Sequence, residues 1–418
     1  MTRVVLLGGG YVTLHAHAAL ARGLRREIRS GAVQLVVLTA DPAHSYHGFT
    51  GEVLAGLLPF ARTRTPVAGA CPRARVEHGV VVEVDRKRRT VTWRPAGSSD
   101  TRTMTWDHLV VGTGGREPAA LVPGLAEHGW TLRSPGDIER LAARVGHLAG
   151  RSLEGDARPP LVLVAGGGLA GVELAAAVAD RGRGRLRVEL VHAGDRLVPE
   201  LAVSQPRLAR RAAAELERLG VRVRLGVRLV EVTAGSAWLS DGTLLPTADV
   251  IATTGQRPVR LPGLGDELRD LRGRLLTGSD LSVGEGVWAA GDAARVLHPV
   301  TGEPVAANAL WAIKGGHHVG TNVARVVRGR PAQAFRYRGL GRAASFGLGH
   351  SVAELYGVPL TGTTAWVLRL AFFLRFMPDR RQALRTLADT VRAVRGTRVP
   401  APPVDRTRPR TEREARVA

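Results

Sequence analysis

Apolar residues along the chain gather into short continuous runs, each ending in a glycine turn and followed by an alanine-rich, more polar stretch. Val4-Val5-Leu6-Leu7 runs into Gly8-Gly9-Gly10-Tyr11-Val12-Thr13. Leu161-Val162-Leu163-Val164-Ala165 runs into Gly166-Gly167-Gly168-Leu169-Ala170-Gly171-Val172-Glu173. An unbroken apolar run of this length reads as a strand buried on both faces, and the pattern that follows reads as a helix, from Val172 to Asp180 in the second case. Val33 to Leu38, Asp107 to Val111, Leu186 to His192 and Val287 to Ala290 are further strands, and Pro206 to Leu219 is a helix opened by proline. Gly79 to Val84 and Thr90 to Trp93 predict a hairpin.

A parallel strand that ends in glycines and feeds a helix delivers an anion to free backbone N–H groups and the positive end of the helix dipole. Gly166, Gly168 and Gly171 complete G-x-G-x-x-G with strand before and helix after; the first copy has Gly8 and Gly10, with Thr13 in the third place. Two such turns predict two dinucleotides, and so electron transfer between a nicotinamide and a flavin. The alternative for each is a tight strand–helix turn without ligand.

Composition narrows the partners. The chain has 418 residues, room for two or three domains, and a formal charge of +22 that is almost all arginine, since Lys87 and Lys314 are its two lysines. The arginines are dispersed and aromatics make up 4%, which argues against a nucleic-acid groove and favours an anionic membrane surface for the charge near the C-terminus. No run approaches the about 20 apolar residues of a membrane-spanning helix, and no secretory signal is expected. One cysteine, Cys71, excludes a disulfide within the chain and fits a cytoplasmic setting. After Arg395 a proline- and arginine-rich tail is expected to be disordered.

With Val111-Gly112-Thr113-Gly114, Thr254-Gly255 and Gly291-Asp292 in that order after the glycine turns, residues 1–330 resemble the flavoprotein reductases with two dinucleotide folds. Leu340 to Gly347, Ala353-Glu354-Leu355 and Gly362 to Trp366 resemble the type II NADH dehydrogenases among them. These are single-chain, FAD-containing, non-proton-pumping enzymes that pass electrons from NADH to membrane quinone. The resemblance implies an α/β fold with two Rossmann-like domains. An FAD-binding domain would span 1–116 and 262–330, an NAD(P)H-binding domain 117–261, and a C-terminal membrane-associating region 331–395. It implies that Gly8 and Gly10 hold the FAD pyrophosphate, with Tyr11, Thr13, Thr39, Thr113 and Gly114 nearby, and that Asp292 bonds its ribitol. Gly166, Gly168, Gly171 and Gly255 would hold NADH or NADPH, with Glu173 close to the nicotinamide.

Departures from the family pattern carry information. Disulfide reductases and sulfide-oxidising relatives need several cysteines, so the flavin must pass electrons directly to an outside acceptor, a quinone or other small molecule. The helix that bears glutamines beside the flavin in type II NADH dehydrogenases reads Ala307 to Gly315 here without them. The acidic ribose anchor expected about 20 residues after each glycine turn is missing. Thr39 takes that place in the first unit, with Asp41 as a substitute, and His192 takes it in the second, with Arg196 beyond it, which favours acceptance of NADPH. Lys314 is expected near the flavin pyrimidine edge, where a cation stabilises the reduced anion. On a helix from Ala365 to Met377, Trp366, Leu370, Phe373 and Met377 share one face, expected to lie on the inner leaflet of the cell membrane, with Arg369 and Arg375 snorkelling; burial in a domain or homodimer interface is the alternative. Rival functions are a soluble reductase feeding a ferredoxin-like protein, and a flavin-bound redox sensor without turnover.

Overall fold

The computed structural model describes residues 1–132, 136–151 and 158–399, so the expected tail lies, from residue 400 onward, outside the described residues. The chain forms two compact units. One comprises Met1–Ser45, Arg64–Arg116 and Gln256–Gly339; the other comprises Tyr46–Thr63, Glu117–Gly255 and the chain from Leu340 onward.

In the first unit the strand Thr2–Leu7 pairs in parallel with Val33–Thr39 on one side and His108–Val111 on the other. Val33–Thr39 continues in parallel to Arg75–Asp85, and His108–Val111 to Val287–Ala289. Every residue from Val4 to Leu7 and from Leu35 to Leu38 is buried, so neither strand keeps a polar face; both sides of the sheet are covered. The chain winds outward in both directions from Thr2–Leu7, so the crevice at the ends of Leu7 and Val111 is a topological switch point, where open α/β sheets bind ligands. The expected hairpin extends the edge as the antiparallel strands Arg75–Asp85, Thr90–Pro95 and Arg102–Thr105. The helices Tyr11–Gly23 and Ala309–Val327 pack closely on each other.

Between Ala43–Ser45 and Arg64–Pro66, themselves an antiparallel pair, the chain leaves this unit. The excursion Tyr46–Thr63 belongs with the second unit, whereas residues 1–116 are one piece in the expected division. Its short helix Thr50–Leu54 packs on the helices Asp137–Gly150 and Leu169–Gly182, burying Phe49, Val53 and Leu54.

The second unit is built on a parallel sheet in the order Arg222–Leu225, Arg187–His192, Leu161–Ala165, Asp249–Ala252. The helix expected from Val172 begins at Leu169, directly after the glycine turn, and runs to Gly182. Residues 340–394 join this unit as a three-stranded antiparallel sheet, Gly341–Ser345, Ser351–Leu355 and Val358–Thr361, followed by the helices Gly362–Phe376 and Arg380–Val394. Phe335 and Tyr337 stack instead around Trp311 in the first unit, so the region 331–395 is divided between the two.

The two glycine turns solve one packing problem in opposite ways. In the second, a Cβ on Gly171 would lie 1.7 Å from the Gly166 carbonyl and 2.8 Å from the Thr253 hydroxyl. In the first, the helix carries Thr13, and the strand end that faces it is Gly112, where a Cβ would lie 2.9 Å from Val12 and 3.2 Å from the Thr13 hydroxyl. One side of each helix–strand contact is glycine, which is why threonine is tolerated in the first motif.

Helix Tyr11–Gly23 also buries His17, whose two ring nitrogens have no partner among the described residues. Burial, reinforced by Arg73, lowers its pKa from 6.5 to about 4. A depressed histidine pKa gives stability that is whole above the unfolded value and is lost as pH falls, because the unfolded chain takes up the proton first. Replacing an unsatisfied polar ring by an apolar group of similar size is close to neutral, within about 1 kcal/mol. His17→Leu should therefore match wild type in denaturant stability at pH 7.5 to within about that amount and lose less between pH 6.5 and 4; parallel pH profiles for the two proteins would refute this.

Candidate functional site

At the first turn, Gly8 has φ +99°, and a Cβ there would lie 2.6 Å from the Gly112 carbonyl. Gly10 opens the helix Tyr11–Gly23 without any side-chain cap, so the first-turn N–H groups are presented to an anion. The hydroxyls of Thr13 and Thr113 are buried and unpartnered among the described residues. Orphaned donors beside an uncapped helix end suit the phosphates and ribityl chain of a flavin dinucleotide, and the residues present fit FAD. Tyr11 stands edge-on to His44 at 4.6 Å between ring centroids, and Gly114 accepts the Val259 N–H in the main chain. Asp292 lies in the turn Gly291–Ala293 that follows Val287–Ala289.

Asp41 is no free ribose anchor: Arg64 binds both its carboxylate oxygens, at 2.7 and 2.9 Å. Thr39 donates its hydroxyl to the Asp41 carbonyl. Where the family's glutamines are absent, Asn308 caps the helix Ala309–Val327 by accepting the Leu310 N–H at 2.7 Å. Lys314 is exposed on that helix, with its Nζ 5.8 Å from the Tyr337 ring centroid. It borders a cavity of about 660 Å³ with His317, His318, Phe335 and Tyr337.

At the second turn, Gly166 has φ +115° and Gly168 is the N-cap of the helix Leu169–Gly182. His192 lies across the turn, its Nδ1 accepting the Gly167 N–H at 3.1 Å. That bond puts the proton of a neutral ring on Nε2, as a donor. Arg196, beyond it, pairs with Asp195 at 3.1 Å. Glu200 also reaches this turn, its Oε1 3.4 Å from the Leu169 amide nitrogen. Gly255, with φ +106°, follows the strand Asp249–Ala252 and is the last residue of the segment Glu117–Gly255 of the second unit.

Glu173 is the fifth residue of the same helix, just past its first turn. Arg369 binds it at 2.9 Å and binds Glu52 at 2.5 Å, while the Ser345 N–H donates to Glu173 at 2.8 Å. Arg369 also donates to the Gly48 carbonyl, and its guanidinium lies 4.6 Å from the Phe373 ring centroid. Burial holds the Glu173 carboxyl above its ordinary range; Arg369 pulls it down and Glu52 pushes it up. The expectation of a snorkelling Arg369 is overturned, since it is buried between two carboxylates. The sequence pattern does not reveal this triad; an arginine amid the apolar run Trp366 to Phe376 is its one signal.

The expected membrane face turns inward as well. Met377 is buried and Phe373 packs against Tyr46 and Phe49. The outer face of Gly362–Phe376 carries Val367 and Leu368, and the helix Arg380–Val394 exposes Leu384, Leu387, Val391 and Val394. Arg381, Arg385, Arg392 and Arg395 flank that stripe. Among the described residues no helix is long and apolar enough to cross a membrane.

Residues 2–313 match the family model described as pyridine nucleotide-disulphide oxidoreductase. A NADH dehydrogenase-like protein of Mycobacterium tuberculosis is 30% identical over 70% of this chain and 73% of its own length. The type II NADH:quinone oxidoreductase of the same organism is 25% identical over 92% of this chain and 86% of its own. Among solved structures, NDH2 of Plasmodium falciparum in complex with NADH superposes with a TM-score of 0.81 at 11% identity, over 94% of this chain and 98% of that one.

The triad makes a stability prediction. Removing the cation leaves two carboxylates facing each other, which typically costs about 3–5 kcal/mol. Glu173→Gln leaves a neutral Arg369–Glu52 pair and should cost about 1 kcal/mol or less. Arg369→Met should be far less stable in denaturant than Glu173→Gln. A raised carboxyl pKa favours the folded state at low pH, and that contribution is lost as pH rises through the folded value. The Arg369→Met deficit should therefore grow as pH rises above the usual carboxylate range, about 4–5; a deficit that is small or independent of pH would contradict the assignment.

Proposed function

The chain belongs to the pyridine nucleotide-disulphide oxidoreductase family, and we propose that it works as an NAD(P)H:quinone oxidoreductase of the type II NADH dehydrogenase kind. FAD is assigned to Gly8, Gly10, Tyr11, Thr13, Thr39, Thr113, Gly114 and Asp292, and NADH or NADPH to Gly166, Gly168, Gly171, His192, Arg196 and Gly255. When bound, the flavin supplies the chemistry, accepting a hydride from the nicotinamide and giving electrons to the acceptor.

The observation that carries this reading is the state of the one cysteine. Cys71 is buried, and burial pushes its thiol up to about 12, so it is neither paired nor available as a thiolate. A member of this family without a redox disulfide must hand its electrons to an external acceptor. The names of the relatives favour a quinone over a ferredoxin-like protein, and a turnover role over that of a sensor.

The protein's own residues position and tune. The uncapped helix at Gly10 holds phosphate, and Thr13 and Thr113 offer it hydroxyls that have no partner among the described residues. Glu173, fixed by Arg369 and the Ser345 amide, keeps a carboxyl of raised pKa just past the first turn of the helix Leu169–Gly182, suited to orienting the nicotinamide end. Lys314, exposed beside Tyr337, remains a candidate for tuning the flavin. His192 offers the adenosine ribose a donor in place of the acidic acceptor that excludes a 2′-phosphate. Steady-state oxidation of NADH and NADPH with a short-chain quinone tests the whole reading. Turnover with quinone supports it; turnover only with a ferredoxin-like protein, or none, rejects it. In the same assay His192→Glu should shift the NADH/NADPH ratio of kcat/KM towards NADH by about tenfold; an unchanged ratio removes His192 from the site.

The helix Arg380–Val394, with Leu384, Leu387, Val391 and Val394 outward between arginines, is proposed to rest on the anionic inner face of the cell membrane, where lipid quinone resides. A homodimer through this stripe is the competing use. Truncation before Gly362 would remove the buried Arg369, so point substitution is the cleaner probe. Leu384→Glu with Val391→Glu should cut sedimentation with anionic liposomes by about tenfold or more and leave NADH–ferricyanide activity intact. Equal sedimentation of variant and wild type would remove the stripe from membrane binding.

A further inference from the structure

Glu200 lies where the second glycine turn should receive its ligand. It belongs to the short helix Pro199–Ala202, and its Oε1 would be 2.8 Å from a Cβ on Gly168. The second glycine of such a motif lacks a side chain so that a pyrophosphate can approach the backbone; here a carboxylate fills that space. Glu200 Oε1 is near the Leu169 N–H, at 3.4 Å, and its Oε2 is buried without a partner among the described residues. The main chain around it is tied to the same turn. Val198 donates its N–H to the Gly167 carbonyl at 2.8 Å, and Arg342 donates to the carbonyl of Glu200 itself. Val198 has φ +49°, a left-handed conformation that a β-branched residue rarely adopts. Strain of that kind persists where neighbouring contacts impose it.

The positive end of a helix favours one anion, and a half-satisfied carboxylate there is in a poor state to share it with a second. We propose that Glu200 is a resident anion that holds the second glycine turn closed, and that the pyrophosphate of the nicotinamide dinucleotide must displace it to bind. The proposal rests on the reading of that turn as the NAD(P)H site. It follows that Glu200 lowers affinity for the pyrophosphate-bearing part of the ligand and leaves adenosine recognition alone.

ADP-ribose carries the adenosine and the pyrophosphate but no nicotinamide, so its binding is read without turnover. Isothermal titration of ADP-ribose and of adenosine into the full-length flavoprotein, at one salt concentration, compares wild type with Glu200→Gln, Glu200→Ala and Gly168→Val. Both Glu200 variants should bind ADP-ribose about tenfold more tightly, with adenosine unchanged, and Gly168→Val should lose ADP-ribose. ADP-ribose binding that is unchanged or weaker in both Glu200 variants, or adenosine tightened equally, overturns the proposal while loss in Gly168→Val upholds the site. Undiminished ADP-ribose binding in Gly168→Val overturns the reading of the site itself, and the proposal with it.

Discussion

Arg369 is the constraint on which the second unit depends. Its buried guanidinium binds Glu52, Glu173 and the Gly48 carbonyl, and so ties three distant stretches of sequence: the excursion Tyr46–Thr63, the helix Leu169–Gly182 and the helix Gly362–Phe376. Two carboxyl groups share one arginine in a desolvated place, and Glu52 Oε2 and Arg369 Nε are both without partners among the described residues. Replacing such a cluster by apolar groups is often neutral or stabilising. Its presence on the helix that follows the second glycine turn fits the proposed role of Glu173 better than a role as a source of stability.

The same logic separates the two glycine turns. The first is left unsatisfied, with an uncapped helix and two buried hydroxyls lacking partners among the described residues. A tightly held flavin would complete it for the lifetime of the protein. The second is filled by side chains of its own unit, His192 on Gly167 and Glu200 on Gly168. A substrate that must bind and leave in each turnover is consistent with a turn that closes on itself between visits.

Most of the fold was legible because buried parallel strands are continuous apolar runs, and Val4 to Leu7 or Leu161 to Ala165 leave no other reading. The glycine at 112 opposite Thr13 was equally present in the sequence, but its meaning depends on a pairing of strand end and helix that no local pattern encodes. The excursion Tyr46–Thr63 was assigned to the wrong partner because chain continuity suggested a single domain, while burial of Phe49, Val53 and Leu54 decided otherwise. The helix at Gly362–Phe376 was oriented by its aromatics alone. A buried ion pair turned that face inward, and the exposed stripe on the next helix, Leu384 to Val394, is plain in the sequence only after that correction.

The proposed function requires one chain to hold a flavin at the first turn and a nicotinamide dinucleotide at the second. An anaerobic titration of the purified full-length protein with NADH, followed by the visible absorbance of bound flavin, tests this most directly. The account predicts one FAD per chain and complete bleaching by one equivalent of NADH, with recovery on adding quinone. Protein that purifies without flavin, or whose flavin is not bleached by NADH or NADPH, would contradict it.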